Sequence, residues 1–99
     1  MTELDEGAVA TTLHRLLGRA GIRFSGLAVH RGALWLELPA EPLRLEEALV
    51  ALAFAEGMEL GAVVFILATS RLRVRVADYQ RLLAGEIDVL EFFHTWEEL

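Results

Sequence analysis

The chain has 99 residues, of which 55% are hydrophobic and 24% are charged, with a formal net charge of −6. This length predicts a single domain, residues 1–99, with one hydrophobic core. The sequence contains no cysteine, which excludes thiol chemistry and disulfides. Its acidic balance disfavours nucleic-acid binding, which depends on positive charge that displaces counterions.

The apolar character of the chain bears on its location and on its assembly. The mean hydropathy is +0.42, and a small protein this apolar is expected to hide part of its surface in an oligomer. The most apolar run, GAVVFILA, is far shorter than the roughly 20 residues of a membrane-spanning helix. The N-terminus is acidic, unlike a signal peptide. We therefore expect a cytoplasmic protein without a membrane span.

A helix followed by a β-hairpin is predicted first. Apolar side chains recur at helical spacing over residues 2–20, with Thr2 as the expected cap and Gly21 as the expected left-handed residue at the end. The alternating segments IRFSGLAVH and ALWLELP follow, separated by Arg31-Gly32, and predict the hairpin.

A second unit of the same kind is predicted next. Its helix covers residues 43–56, with Pro42 in the first turn and Gly57 at the end. The segment ELGAVVFILA is apolar on both faces and predicts a central strand. RLRVRVA alternates strictly and predicts a strand with one exposed face. The similarity of the two units leaves two explanations open: a duplication, or the ordinary form of any helix–hairpin pair.

Two helices are predicted at the C-terminal end. Asp78 is expected to cap a short helix that Gly85 ends, and residues 86–99 predict a last helix. The complete order is αββαββαα. It predicts an α+β fold with a mostly antiparallel sheet of about four strands and helices on one face.

Residue types that carry out catalysis form no recognisable motif. The three histidines, His14, His30 and His94, lack metal-binding spacing. Ser25 and Ser70 lack the pattern of a nucleophile elbow. We therefore expect no enzyme, no cofactor and no metal site.

An arginine row is the best indication of a contact surface. Arg71, Arg73 and Arg75 occupy alternate positions of one predicted strand, so their side chains share a face. Trp35 lies on the matching face of the other hairpin, and both residue types are favoured at interfaces. Solvated edge charges, pairing with carboxylates of the same chain, a protein-partner surface and polyanion binding all remain possible explanations.

A resemblance agrees with an interaction role. LHRLLGRAGIRF, GALWLEL and the closing VLEFFHTWEEL resemble, in their order along the chain, the type III secretion chaperone-like and YbjN-like small acidic proteins. The resemblance covers most of the chain. It implies a homodimer that binds a protein client and carries out no catalysis.

A second, local resemblance leads to a different function. VRVADYQRLLAGEIDVLEFF resembles a segment of sterol-carrier-type domains, over about a fifth of the chain. It implies a small-molecule or lipid-binding module, with an apolar pocket under the C-terminal helices.

The sequence as a whole favours a non-enzymatic protein-interaction or chaperone-like domain that forms a homodimer. The expected partner-binding residues are Arg71, Arg73, Arg75 and Trp35, and in second place Phe92 and Trp96. The lipid-binding module is the alternative.

Overall fold

The computed structural model describes residues 5–39 and 42–99 and has an α+β fold, as predicted. Five strands form one sheet in the order β1-β2-β3-β4-β5. The elements within these residues are α1 (Glu6–Arg19), β1 (Gly26–His30), β2 (Ala33–Glu37), α2 (Leu45–Gly57), β3 (Ala62–Ile66), β4 (Arg71–Arg75), α3 (Val76–Leu83), α4 (Val89–Thr95) and β5 (Glu97–Glu98).

The sheet is mixed and has one strand more than expected. β1–β2, β3–β4 and β4–β5 pair antiparallel, whereas β2 and β3 pair in parallel. The parallel pair arises because α2 crosses over the sheet and returns the chain to the end at which β2 began. The prediction of about four strands missed both β5 and this central parallel pair.

Local signals fix the first helix and hairpin. The Asp5 carboxylate accepts a hydrogen bond from the Ala8 backbone N–H (3.1 Å) and caps α1. The predicted cap, Thr2, lies outside the described residues. Gly21 has a φ of 82°, as its predicted left-handed role requires. Arg31 and Gly32 both have positive φ angles, 52° and 74°, which suits a tight turn that follows the twist of the two strands.

The second helix differs in detail from its prediction. α2 begins at Leu45, with Arg44 as its N-cap, so Pro42 precedes the helix and does not lie in its first turn. Gly57 is the last helical residue, and the left-handed residue is Glu59, with a φ of 61°. The helix therefore continues one residue further than the glycine alone suggested.

The C-terminal region corrects two predictions. α3 begins at Val76, so Asp78 lies in its first turn, where its carboxylate accepts a hydrogen bond from Arg81 (3.1 Å). Residues 86–99 do not form one helix. The Asp88 carboxylate caps α4 in a reciprocal capping box with Glu91. The chain leaves the helix at Trp96 and adds β5 to the edge of β4.

All four helices contribute to one core on one side of the sheet. α1 provides Val9, Leu13 and Leu17, and α2 provides small residues that allow it to approach the strands closely. The buried strand residues in this cluster alternate along each strand, as expected for a sheet that is covered on one face. They are Val29, Leu34, Leu36, Val63, Phe65 and Val74.

The two helix–hairpin units have opposite handedness. β1 and β3 run in opposite directions, because β2 is antiparallel to β1 and parallel to β3. In both units the second strand lies on the same side of the first, β2 beside β1 and β4 beside β3, and the helices of both units cover the same face of the sheet. A rotation that aligns β1 with β3 and keeps the helices on that face therefore places β2 and β4 on opposite sides. The two units are mirror images in topology, and no rotation superposes them. This geometry argues against a duplication of one folded unit.

Candidate interaction surface

The face of the sheet that points away from the helices brings the predicted surface residues together. The strand register places Ala28, Trp35, Val64, Arg73 and Glu97 side by side across all five strands. Residues that are paired in register share a face, so two further rows flank this one. The open face, as we call it, consists of Gly26, Ala28, His30, Ala33, Trp35, Glu37, Ala62, Val64, Ile66, Arg71, Arg73, Arg75 and Glu97.

Two of the three arginines pair with a carboxylate of their own chain. Arg73 donates from Nε to Oε1 of Glu97 (3.3 Å) and from Nη2 to Oε2 (3.0 Å). Arg75 Nη2 lies 2.9 Å from Glu97 Oε1. These hydrogen bonds from Arg73, aided by the charges of both arginines, hold the pKa of Glu97 below its ordinary value. Glu97 therefore separates the guanidinium charges and fastens β5 to the sheet.

Arg71 differs from the other two arginines. It is exposed, and no carboxylate within the described residues forms an ion pair with it. Its backbone carbonyl accepts a hydrogen bond from the N–H of Leu99 (2.9 Å), but its side chain remains available. Arg71 is therefore the arginine of the row that is best placed to meet another molecule.

The centre of the open face is apolar. Val64 is only 1% exposed, yet it does not belong to the core cluster beneath the helices. Its neighbours in register are Trp35 on β2 and Arg73 on β4, one on each adjacent strand. Trp35 is half-buried, and its Nε1–H donates to the His30 carbonyl (3.4 Å). This contact orients the indole across the strands.

Charges of opposite sign lie on the two sides of this apolar centre. Glu37 on β2 is exposed, and its Oε1 accepts a hydrogen bond from the Ser25 hydroxyl (2.9 Å). It shares a row with Ile66 on β3 and Arg71 on β4. At the usual strand spacing the two charged residues are about 10 Å apart. The open face is therefore acidic and aromatic on β2 and basic on β4.

The residues placed second in the prediction lie mainly inside the protein. Phe92 is fully buried, and its ring meets Trp96 edge-on at 5.7 Å. Trp96 is partly buried and stacks on Phe65 with ring centroids 6.3 Å apart. The space between α4 and the sheet is therefore filled by aromatic side chains. Trp96 Nε1 is buried and has no hydrogen-bond partner within the described residues.

A different part of α4 is exposed. Val89, Leu90 and Phe93 are 43%, 68% and 40% exposed, and Phe93 follows the other two by four and three residues, which places it beside both on the helix surface. We call these three residues the helix patch. The sequence pattern placed Val89, Phe92, Phe93 and Trp96 at helical spacing on the last predicted helix. In the structure Phe92 and Trp96 pack into or against the core, whereas Val89 and Phe93 are exposed.

The candidate catalytic residues are not brought together. The ring of His14 meets Phe24 edge-on at 4.9 Å on the helical side of the sheet. Within residues 5–39 and 42–99, no group of three potential metal ligands is assembled. A surface cleft of about 780 Å³ lies between the end of α1 and the start of α2, and no residue of α4 lines it.

No helix among the described residues is long and apolar enough to span a membrane. Comparison with protein-family models, with curated proteins and with solved structures finds no match to this chain.

Proposed function

We propose that this protein is a non-enzymatic protein-interaction domain that forms a homodimer through the open face. One observation carries the proposal: a half-buried tryptophan and an apolar centre lie between acidic and basic strands, on a face that no helix of the described residues covers. Apolar sheet faces are normally buried against another layer. A second copy of the chain would supply that layer.

The residue types of the open face suit such a role. Tryptophan and arginine are the commonest energetic anchors of protein interfaces. Here Trp35 is oriented by its hydrogen bond to His30, and Arg73 is held by Glu97. Side chains that are already fixed lose less conformational entropy on association. A homodimer also agrees with the chaperone-like resemblance of the sequence.

The alternative function, binding of a lipid or another small molecule under the C-terminal helices, receives less support. That function needs an apolar cavity of at least about 300 Å³. The rings of Phe65, Phe92 and Trp96 occupy the region where it was expected. A ligand there would have to displace well-packed aromatic side chains.

Solution mass tests the proposal directly. The monomer has a mass of 11.0 kDa, so light scattering over a dilution series should show a species of twice that mass that dissociates on dilution. High salt should promote dissociation, because part of the interface is ionic. A monomer at every concentration would overturn the proposal.

A matched pair of variants locates the contact. Trp35→Ala removes the anchor of the open face and should shift the protein towards monomer. Leu90→Ser changes a more exposed apolar residue on the helix patch and should leave the mass unchanged. If Leu90→Ser dissociates the dimer and Trp35→Ala does not, the helix patch is the interface and the open face is not.

A further inference from the structure

We infer that the two copies pack open face to open face about a two-fold axis that runs parallel to β3. The inference rests on the proposed homodimer and specifies which strands meet. It follows from the strand order, the register and the distribution of charge over the open face.

Symmetry leaves two limiting arrangements for two sheets that pack face to face in a closed dimer. The axis lies in the plane between the sheets and runs either across the strands or along them. With the axis across the strands, each strand lies opposite the same strand of the partner subunit. The row of Arg71, Arg73 and Arg75 would then meet the same row of the other chain, which brings like charges together.

An axis along the strands reverses their order in the second copy. If it passes over β3, the middle strand of five, then β4 lies opposite β2 of the partner and the overlap of the sheets is greatest. The position along the strands is preserved, so each row meets the same row of the partner. The basic side of each open face thereby covers the acidic and aromatic side of the other.

The strand register then determines which residues face each other across the interface. Arg71 shares a row with Glu37 and therefore faces Glu37 of the partner subunit. Arg73 shares a row with Trp35, so its guanidinium faces the partner's Trp35, a suitable arrangement for a cation–π contact. Each contact occurs twice because the interface is symmetric.

The middle strand meets itself in this arrangement. Ile66 on β3 lies close to the axis and faces Ile66 of the partner subunit, with the Glu37 and Arg71 contacts on either side. The dimer therefore has an apolar centre and an ionic flank on each side. This is the common layout of protein interfaces.

The size of the face sets the expected strength. Four strands of five residues and a fifth of two residues, spaced about 4.8 Å apart, give a flat footprint of about 350 Å² per copy. The sum over both copies, about 700 Å², is below the roughly 1,200 Å² of accessible surface that stable, specific complexes bury. We therefore expect a dimer that dissociates on dilution, and not an obligate one.

Charge reversal tests the pairing. Arg71→Glu and Glu37→Arg each place like charges opposite one another, and each should weaken dimerisation about tenfold or more at low salt. The double variant, R71E with E37R, restores opposite charges in both symmetric contacts and should regain most of the wild-type affinity. Ser25→Ala is the control for the lost hydrogen bond to Glu37 and should leave the affinity unchanged.

A cysteine at the axis gives a second, independent test. The chain contains no cysteine, so Ile66→Cys provides one thiol per chain that lies close to its symmetry mate. Mild oxidation should give a covalent dimer far faster than in Leu90→Cys, although position 90 is the more exposed.

The outcomes separate this inference from the proposed function. If the wild type is a dimer but the double variant is no tighter than the single variants, and Ile66→Cys crosslinks no faster than Leu90→Cys, the axis is wrong and the homodimer stands. If the wild type is a monomer, the homodimer itself is wrong.

Discussion

The two faces of the sheet bury neighbouring residues by different means. Val63 and Val64 are adjacent on β3 and are 0% and 1% exposed. Val63 lies in the core beneath the helices, whereas Val64 lies between Trp35 and Arg73 on the open face. Low exposure alone therefore does not distinguish a core position beneath the helices from a position on the open face. What distinguishes them is whether the residue packs against the helices.

The two faces also differ in what they contribute: the core face to folding stability, and the open face, as we propose, to association. The core-face positions of β1 to β4 are all apolar, so they specify only that the helices must cover this face. The open face carries charge of opposite sign on β2 and β4, and this pattern specifies how a second surface must be oriented. Changes on the first face should affect folding, and changes on the second should affect association.

The largest expected effect is at Phe65, at the centre of the core face. Phe65→Ala removes a fully buried ring that stacks on Trp96, and we expect a loss of about 3–5 kcal/mol in the free energy of unfolding. Ile66→Ala, on the open face, should cost less than half as much, because Ile66 is only partly buried. Urea denaturation at a concentration that keeps both variants monomeric measures the two values. Equal losses of unfolding free energy in the two variants would mean that Ile66 on the open face is packed as closely as Phe65 on the core face.

A polar substitution that preserves shape sharpens the comparison. Val63→Thr places a hydroxyl group among apolar side chains and should cost about 1–3 kcal/mol of unfolding free energy. Val64→Thr should cost less than about 1 kcal/mol, because the open face is not covered by the helices that pack on Val63, and the new hydroxyl is closer to water.

The same two variants can be followed by light scattering in place of denaturation. Val64→Thr should weaken the proposed dimer relative to Val63→Thr, once the folded fractions are matched. If Val64→Thr instead unfolds the protein as readily as Val63→Thr, Val64 is packed as tightly as the core.

Local chemistry made part of this fold predictable. The turn at Arg31-Gly32, the left-handed Gly21 and the alternation at the start of RLRVRVA are properties of a few adjacent residues, and the structure agrees with each. The strand itself ends at Arg75, where the predicted one continued to Ala77. The placement of Trp35 and the arginines on one face followed from the two-residue period of strands.

The features that were missed depend on distant residues. β5 has only two residues, too short for any periodic pattern, and it forms because Glu97 meets Arg73 and Leu99 bonds to Arg71. Its sequence, WEEL, is equally suitable for a helix. The parallel pairing of β2 with β3 is likewise set by the path of α2 over the sheet and not by either strand. Tertiary contacts therefore determine the structure of the C-terminal region, although its local propensity predicts a helix.

The smallest expected effect is at that C-terminal strand. Glu97→Gln removes the charge that Arg73 and Arg75 share, and we expect little change in global stability because exposed ion pairs contribute weakly. The docking of β5 should nevertheless loosen, because its side-chain attachment to β4 is weakened. Hydrogen exchange at the Leu99 amide, which bonds to the Arg71 carbonyl, should therefore become faster. The control is Glu98→Gln, which changes the adjacent exposed carboxylate and should leave Leu99 protected.

The same contact should respond to pH in a defined direction. The pKa of Glu97 is below its ordinary value of 4.5, mainly because Arg73 donates hydrogen bonds to it. The ionised carboxylate therefore stabilises the docked strand above that ordinary value, and this contribution is lost as the pH falls through the lowered pKa. Carboxyl NMR titration should give a midpoint below 4.5 in the wild type and a higher one in Arg73→Gln. An unchanged midpoint in Arg73→Gln would mean that Arg73 does not hold Glu97, and that Arg75 and the backbone pairing with β4 position β5 beside the arginine row.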